Sequence, residues 1–135
     1  MSKSDLNRRS RIDINDTKTV IFEKCAKALS DFESAITYEP QRRPAISNLI
    51  TIYSALTGKT PEQIVADCAG KDTKHFKHAL SCELDLHFAP IRDRFNALIA
   101  DESTLKDILF DGAQKARKTA AKNVEELKEI IGFKL

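Results

Sequence analysis

Phe76, Leu80, Leu84, Phe88, Ile91, Phe95 and Leu98 recur at spacings of four and three. That rhythm draws a one-sided apolar stripe on a long α-helix. It does not suit a strand, whose side chains change face at every residue. The pattern starts at about Asp72. Pro90 lies inside it, where a missing N–H and a ring clash predict a kink. A second long pattern follows in Leu105, Ile108, Leu109, Ala113, Ala116, Ala120, Val124, Leu127 and Ile131. Asp101 or Ser103 caps its start and Gly132 ends it. Its alanines predict an inner face that a neighbouring helix approaches closely.

Three shorter helices precede these two. Asp16 suits the N-cap of a helix over roughly 17–30, with Phe22, Cys25, Leu29 and Phe32 on one face. After a connection over 33–43, Pro44 suits a first helical position. Ile46, Leu49, Ile50, Tyr53 and Leu56 then make a buried stripe that stops at Gly58. Thr60-Pro61-Glu62-Gln63 reads as a capping box with proline inside the start. Its short helix carries Ile64, Val65 and Cys68 and closes at Gly70. The expected fold is all-α: a bundle of about five helices behind a short, extended, basic N-terminal lead. The expected division is a loop and linker over 1–15 and a helical domain over 16–135.

A chain of 135 residues is one domain's worth and can bury a core without staples. Its net charge of +2 is too small for a general nucleic-acid coat, which argues against a DNA-binding role. The charge is uneven, since Lys3, Arg8, Arg9 and Arg11 outweigh Asp5 and Asp13 in the lead. Three cysteines at positions 25, 68 and 82, an odd count without CxxC spacing, point to a reducing compartment. No apolar run is long enough for a membrane span. The lead lacks the apolar stripe of a transit peptide.

His75, His78 and Cys82 share one helix face, with Cys68 near in sequence, which is a tolerable zinc spacing. The face is opposite the apolar stripe, so the reading is a solvated helix back and no metal site. His87 falls on the apolar side and is expected to be a packed core or boundary histidine. Lys115, Lys118 and Lys122 align on one ridge of the last helix, with Arg117 adjacent. Such a ridge suits phosphate contacts that position an RNA without reading bases. Glu125 and Glu129 interrupt it, so a solvated face of ordinary ion pairs fits equally. Arg42 and Arg43 form a basic spot at a helix entrance, where a cation opposes the helix dipole. That mismatch points to a contact elsewhere. Ser47 and Asn48 are expected to make local or interhelical hydrogen bonds. No GxSxG, P-loop, HExxH or glycine-rich phosphate loop is present.

The chain opens Met1-Ser2-Lys3-Ser4. Alone, these residues fit an ordinary polar terminus, because short motifs match by chance. They are followed, in order, by Asp16-Thr17-Lys18-Thr19, Lys27-Ala28-Leu29-Ser30-Asp31, Ile36-Thr37-Tyr38-Glu39-Pro40 and Pro44-Ala45-Ile46-Ser47-Asn48-Leu49. Ile52-Tyr53-Ser54-Ala55-Leu56-Thr57-Gly58, Ala89-Pro90-Ile91-Arg92 and Gly112-Ala113-Gln114-Lys115-Ala116 continue the series. The ordered set resembles the C-terminal portion of the bacterial-type and mitochondrial tryptophanyl-tRNA synthetases, which are class I aminoacyl-tRNA synthetases. It begins within their KMSKS signature loop and spans nearly the whole chain. Two departures stand out: no lysine precedes Met1, and Leu6 stands where the family often has proline.

The resemblance implies an ATP-dependent ligase that joins tryptophan to its tRNA in a mitochondrial matrix or a bacterial-type cytoplasm. The complete enzyme would be a homodimer using ATP with Mg2+. Met1, Ser2, Lys3 and Ser4 would be the ATP-binding residues. Lys3 would be the catalytic cation that meets charge building on the leaving phosphates, with Ser2 and Ser4 as hydrogen-bond donors. The helical region would bind tRNA, with Lys115, Arg117, Lys118 and Lys122 as its candidate contacts. The family's Rossmann-type sheet and its HIGH-like motif have no counterpart in this sequence. The chain alone is therefore expected to hold no ATP tightly and to have no ligase activity, since positioning groups supply much of the rate. The competing expectation is a stand-alone RNA-binding or protein-interaction helical module.

Overall fold

The computed structural model describes residues 7–133 and contains five α-helices and no strand among them. The helices are α1 (Lys18–Ala26), α2 (Pro44–Thr57), α3 (Pro61–Asp67), α4 (Thr73–Ala100) and α5 (Glu102–Ile130). The chain divides into two compact units, Met1–Phe95 and Asn96–Leu135.

The core belongs to the first unit. Ile21 and Cys25 of α1, Ile36 of the connection, Ile46, Leu49 and Ile50 of α2, Ile64 of α3, Cys68, and Phe76, Leu80 and Leu84 of α4 are buried together. Tyr53, Leu56, Val65 and Phe88 pack around their edge. Burying one such aliphatic or aromatic side chain contributes ~1.5–3 kcal/mol, so this cluster, far more than helix propensity, holds the short helices.

The helix ends follow the local chemistry of the sequence. In α3, Thr60 Oγ1 accepts from Gln63 N at 3.3 Å and Gln63 Oε1 accepts from Thr60 N at 2.9 Å, completing the capping box. Pro44 opens α2. Gly58, at φ +71°, closes it and donates its N–H to the Ser54 carbonyl at 2.8 Å. α4 runs through Pro90 without a break. The proline lacks the N–H that the Leu86 carbonyl would accept, and Leu86 lies on the exposed side.

Helix α1 differs from the expectation. It is capped by Thr17, whose hydroxyl accepts from Val20 N, and it ends at Ala26. Asp16 turns back instead and accepts the Asp13 N–H at 2.8 Å. With the helix that short, Leu29 and Phe32 fall beyond its end and are exposed. The buried face is Ile21 and Cys25, with Phe22 only half-buried. His87 is exposed, with its ring edge-on to the neighbouring Phe88, while Leu84 and Phe88 take the inward direction on α4.

The second unit holds the end of α4 and all of α5. Asp101 caps α5, accepting from Thr104 N at 3.0 Å. At the other end Gly132 takes φ +73°. The Phe133 N–H reaches the Lys128 carbonyl and the Gly132 N–H reaches Glu129, the paired bonds of a Schellman stop. The expected buried inner face of α5 is not found among the described residues. Leu105 is half-buried, while Ile108, Leu109, Val124, Leu127 and Ile131 are exposed. A unit of ~40 residues has too little chain to enclose a core of its own.

Candidate functional site

The Met1-Ser2-Lys3-Ser4 segment lies outside the described residues. What is described is the root from which it emerges. Asn7 caps a single 3-10 turn over Arg8–Ser10, its Oδ1 accepting from Arg9 N at 3.0 Å. Arg11 Nε then donates to Asp13 Oδ1 at 3.0 Å. The Asp16 N–H closes a turn onto the Asp13 carbonyl at 3.0 Å. The Asp16 carboxylate also accepts from Lys24, and Arg92 Nη1 donates to the Asp16 carbonyl at 2.8 Å. Arg92 Nη2 bonds Asp85 at 2.9 Å. Residues 7–16 are thus a series of bonded turns seated on α1 and α4, made by a lead that looks merely basic in sequence.

The connection between α1 and α2 is organised by a buried cation. Arg43 is 2 % exposed. Its Nε and Nη2 bond the two carboxylate oxygens of Asp31 at 2.8 and 2.6 Å. Nη1 donates to the Ala35 carbonyl and to Thr37 Oγ1, and Nη2 donates to the Glu33 carbonyl. All five N–H groups of a guanidinium are used this way. Arg43 precedes Pro44, which keeps it out of the helical region, at φ −126° and ψ 62°. Its side chain therefore belongs to the connection and not to the helix. The contact elsewhere that its dipole mismatch suggested is Asp31. Arg42 remains exposed and pairs with Glu33 and Glu39. Ser47 accepts the Glu39 N–H at 3.0 Å, a bond to the connection and not to a second helix.

The basic ridge of α5 is exposed along its length. Lys115 pairs with Asp111 at 2.7 Å, and Lys122 lies 3.8 Å from Glu126. Glu125 pairs with Lys128 and leaves the ridge alone. Among the described residues, no carboxylate sits within ion-pair distance of Arg117 or Lys118. Lys118 and Lys122 are four apart and Lys115 and Lys118 three apart, so the ridge is continuous.

Other candidates bring no chemistry together. His78 and Cys82 are 3.9 Å apart, but His75 is occupied by Asp72 at 2.6 Å. Among the described residues, no three His, Cys, Asp or Glu side chains are placed to hold a metal ion. An open groove is lined by Tyr53, Lys59, Asp67, Cys68, Lys71 and His75. Its cations are already engaged, Lys59 with the Asp67 carboxylate at 2.6 Å and Lys71 with the Asp67 carbonyl at 3.0 Å. Burial pushes the Cys25 thiol up to about 11, which suits a packing residue and not a nucleophile.

The family model for tRNA synthetases class I (W and Y) matches residues 1–89. The chain belongs to this family. Its members include relatives aligned over nearly the whole chain. The tryptophan–tRNA ligase of Rickettsia conorii is 40% identical over 133 residues, 98% of this chain and 40% of that protein. The mitochondrial tryptophan–tRNA ligase of Caenorhabditis elegans is also 40% identical, over 98% of this chain and 36% of its own. The chain therefore spans about two-fifths of the length of these synthetases. In fold, it is similar to the tryptophanyl-tRNA synthetase structure from Mycoplasma pneumoniae, with a TM-score of 0.70 at 23% identity, covering 98% of this chain and 40% of that one. The synthetase family match reaches back to Met1 and so includes the signature-type residues and their bonded root.

Proposed function

We propose that this chain serves as the C-terminal helical domain of a tryptophan–tRNA ligase. It contributes the ATP-closing signature loop and part of the tRNA contact to ATP-dependent formation of tryptophanyl-tRNA. The observation that carries the reading is the alignment, 40% identical over 133 residues and 98% of this chain, with tryptophan–tRNA ligases of bacterial and mitochondrial origin. Family membership favours it over a stand-alone RNA-binding or interaction module. In this reading residues 1–15 are loop and linker and residues 16–135 are the helical domain. The compartment is a bacterial-type cytoplasm or the mitochondrial matrix, and the working enzyme is a homodimer.

Within the reaction, the roles assigned to this chain are electrostatic. Tryptophan's carboxylate attacks the α-phosphorus of ATP, and charge builds on the departing pyrophosphate. Lys3 meets that charge, with Ser2 and Ser4 donating hydrogen bonds. Mg2+ would accompany the ATP phosphates in the complete enzyme. Positioning of the triphosphate falls to groups other than the described helices, so the chain alone has no ligase activity.

The test replaces the aligned stretch of the Rickettsia conorii ligase with this chain and measures tryptophan-dependent ATP–pyrophosphate exchange. The chimera is expected to exchange, and Lys3→Ala to lower the rate about a hundredfold or more. The isolated chain is expected to show no turnover above its own Lys3→Ala control. A folded chimera without exchange, or one indifferent to Lys3→Ala, overturns the reading.

A further inference from the structure

Arg92 sits on α4, 76 positions from the residue it holds in the lead. Its side chain is 15% exposed and that of its partner Asp85 is 16% exposed. Such half-buried charges cost desolvation, and apolar side chains of similar size would pin the lead to α4 at least as well. What a guanidinium adds is direction. Its planar fork reads two acceptors at fixed angles, here the Asp85 carboxylate at 2.9 Å and the Asp16 backbone carbonyl at 2.8 Å. The Asp16 carboxylate is gripped independently by Lys24, whose side chain is 9% exposed, and by the Asp13 N–H. One residue is thus fixed at both its main chain and its side chain. From it, bonded turns lead back through Asp13, Arg11 and Ser10 to Asn7. Lys3 lies four residues before Asn7 in sequence.

We infer that Arg92, oriented by Asp85, is a positioning residue for the signature loop. By holding the Asp16 carbonyl it fixes residues 7–16, the bonded lead to which the Lys3-bearing segment is joined in sequence. The inference rests on the proposed function for its catalytic consequence, while the clamp itself stands on this chain's geometry. A cation that stabilises a transition state must be placed within about an ångström, and misplacement of that size costs up to ~100-fold. Lysine at position 92 can still make one of the two bonds, but it cannot hold both acceptors at the fork's angles.

The experiment has two arms. In the isolated chain, amide hydrogen exchange is followed over residues 7–17 and over α2, for wild type, Arg92→Ala, Arg92→Lys and Asp85→Asn. Exchange over 7–17 is expected to quicken about tenfold or more in Arg92→Ala, with α2 unchanged. In the chimera with the Rickettsia conorii ligase, Arg92→Ala is expected to lower kcat for ATP–pyrophosphate exchange roughly ten- to a hundredfold. KM for tryptophan should not move, and Arg92→Lys should recover only part of the loss. Unchanged exchange over 7–17, or full rescue of kcat by lysine, overturns the inference while the proposed function stands. A kcat loss matched by lost protection in α2 also overturns it, by reducing Arg92 to a stability residue. A silent wild-type chimera fails the proposed function and takes the catalytic role of Arg92 with it. The first arm then reports only whether the clamp orders the lead.

Discussion

Arg43 and Asp31 meet fork to fork, Nε to Oδ2 at 2.8 Å and Nη2 to Oδ1 at 2.6 Å, across twelve residues of chain. The pair closes the α1–α2 connection into a loop around one buried cation. Three further acceptors, from Ala35, Thr37 and Glu33, complete its shell. Arg43→Ala leaves the Ala35 carbonyl, Thr37 Oγ1 and Asp31 Oδ2 without this donor, while the Glu33 carbonyl keeps only the Thr73 hydroxyl and Asp31 Oδ1 only the Glu33 N–H. Removing one partner of a buried pair costs ~3–5 kcal/mol, and partial access of water to Asp31 places this case at about the lower end. Urea unfolding of the wild type, Arg43→Ala and Arg43→Lys measures it. Lysine should recover less than half, because an ammonium has three donors and no fork. A variant as stable as wild type removes Arg43 from its organising role.

Acid should weaken the fold through the same pair. The Arg43 hydrogen bonds hold the Asp31 carboxyl below its ordinary value of 3.8. Lys59 does the same for Asp67, the His75 N–H for Asp72, and Thr104 for Asp101. These folded-state values lie below the unfolded ones, so the unfolded chain takes up protons first. The stability they contribute is complete well above 3.8. It is lost as pH falls below that point through the folded values. Urea midpoints measured from about pH 6 down to about pH 3 should decline, and Asp31→Asn should flatten part of the decline. A wild-type midpoint insensitive to pH over that range contradicts the assignment.

Much of this was legible locally. Thr60 with Gln63, Pro44, Gly58, Asp101 and Gly132 each act through neighbours within five residues, so cap chemistry alone locates α2, α3 and α5. The stripe of α4 was legible in its first half, where Phe76, Leu80 and Leu84 are buried. What sequence could not show were contacts set by distant chain. Arg43 looks like a misplaced surface cation until Asp31 is brought to it. Arg92 looks like an ordinary exposed helix residue until the lead folds onto α4. The phase of α1 was misread because Leu29 and Phe32 extend an apolar spacing past the true helix end. The inner face of α5 was inferred from a period that reports amphipathicity, and a period does not say what covers the face.

Thiol chemistry should separate the three cysteines. Cys25 and Cys68 are buried and Cys82 is exposed, and none is in a disulfide. Burial raises the Cys25 thiol to about 11 and raises Cys68 as well. Both therefore hold their protons, and lack access to reagent, near neutral pH. Reaction with an aromatic disulfide reagent at about pH 8 should consume one thiol quickly and the other two only on unfolding. Cys82→Ser should remove the fast phase. A fast phase that survives this change would show that the α1 or α3 packing opens readily.

The ridge on α5 gives the RNA-facing prediction. Lys115 and Lys122 each carry an exposed ion pair with a neighbour on the same helix. Such pairs are worth only ~0.2–1 kcal/mol and are screened by salt. They do not prevent either lysine from turning to a phosphate, and among the described residues Lys118 has no such pair to break. Each phosphate contact releases counterions and adds ~0.7–0.9 to the slope of log affinity against log salt. Lys115, Lys118 and Lys122 changed together to alanine should weaken tRNA binding and reduce the slope by ~2. Arg117→Ala, which lies off the ridge, should change the slope by less than one contact's share. Gel-shift titrations of the chain with tryptophan-specific tRNA at two salt concentrations measure both. If the triple variant binds with wild-type affinity and slope, the ridge is a solvated face and takes no part in tRNA binding.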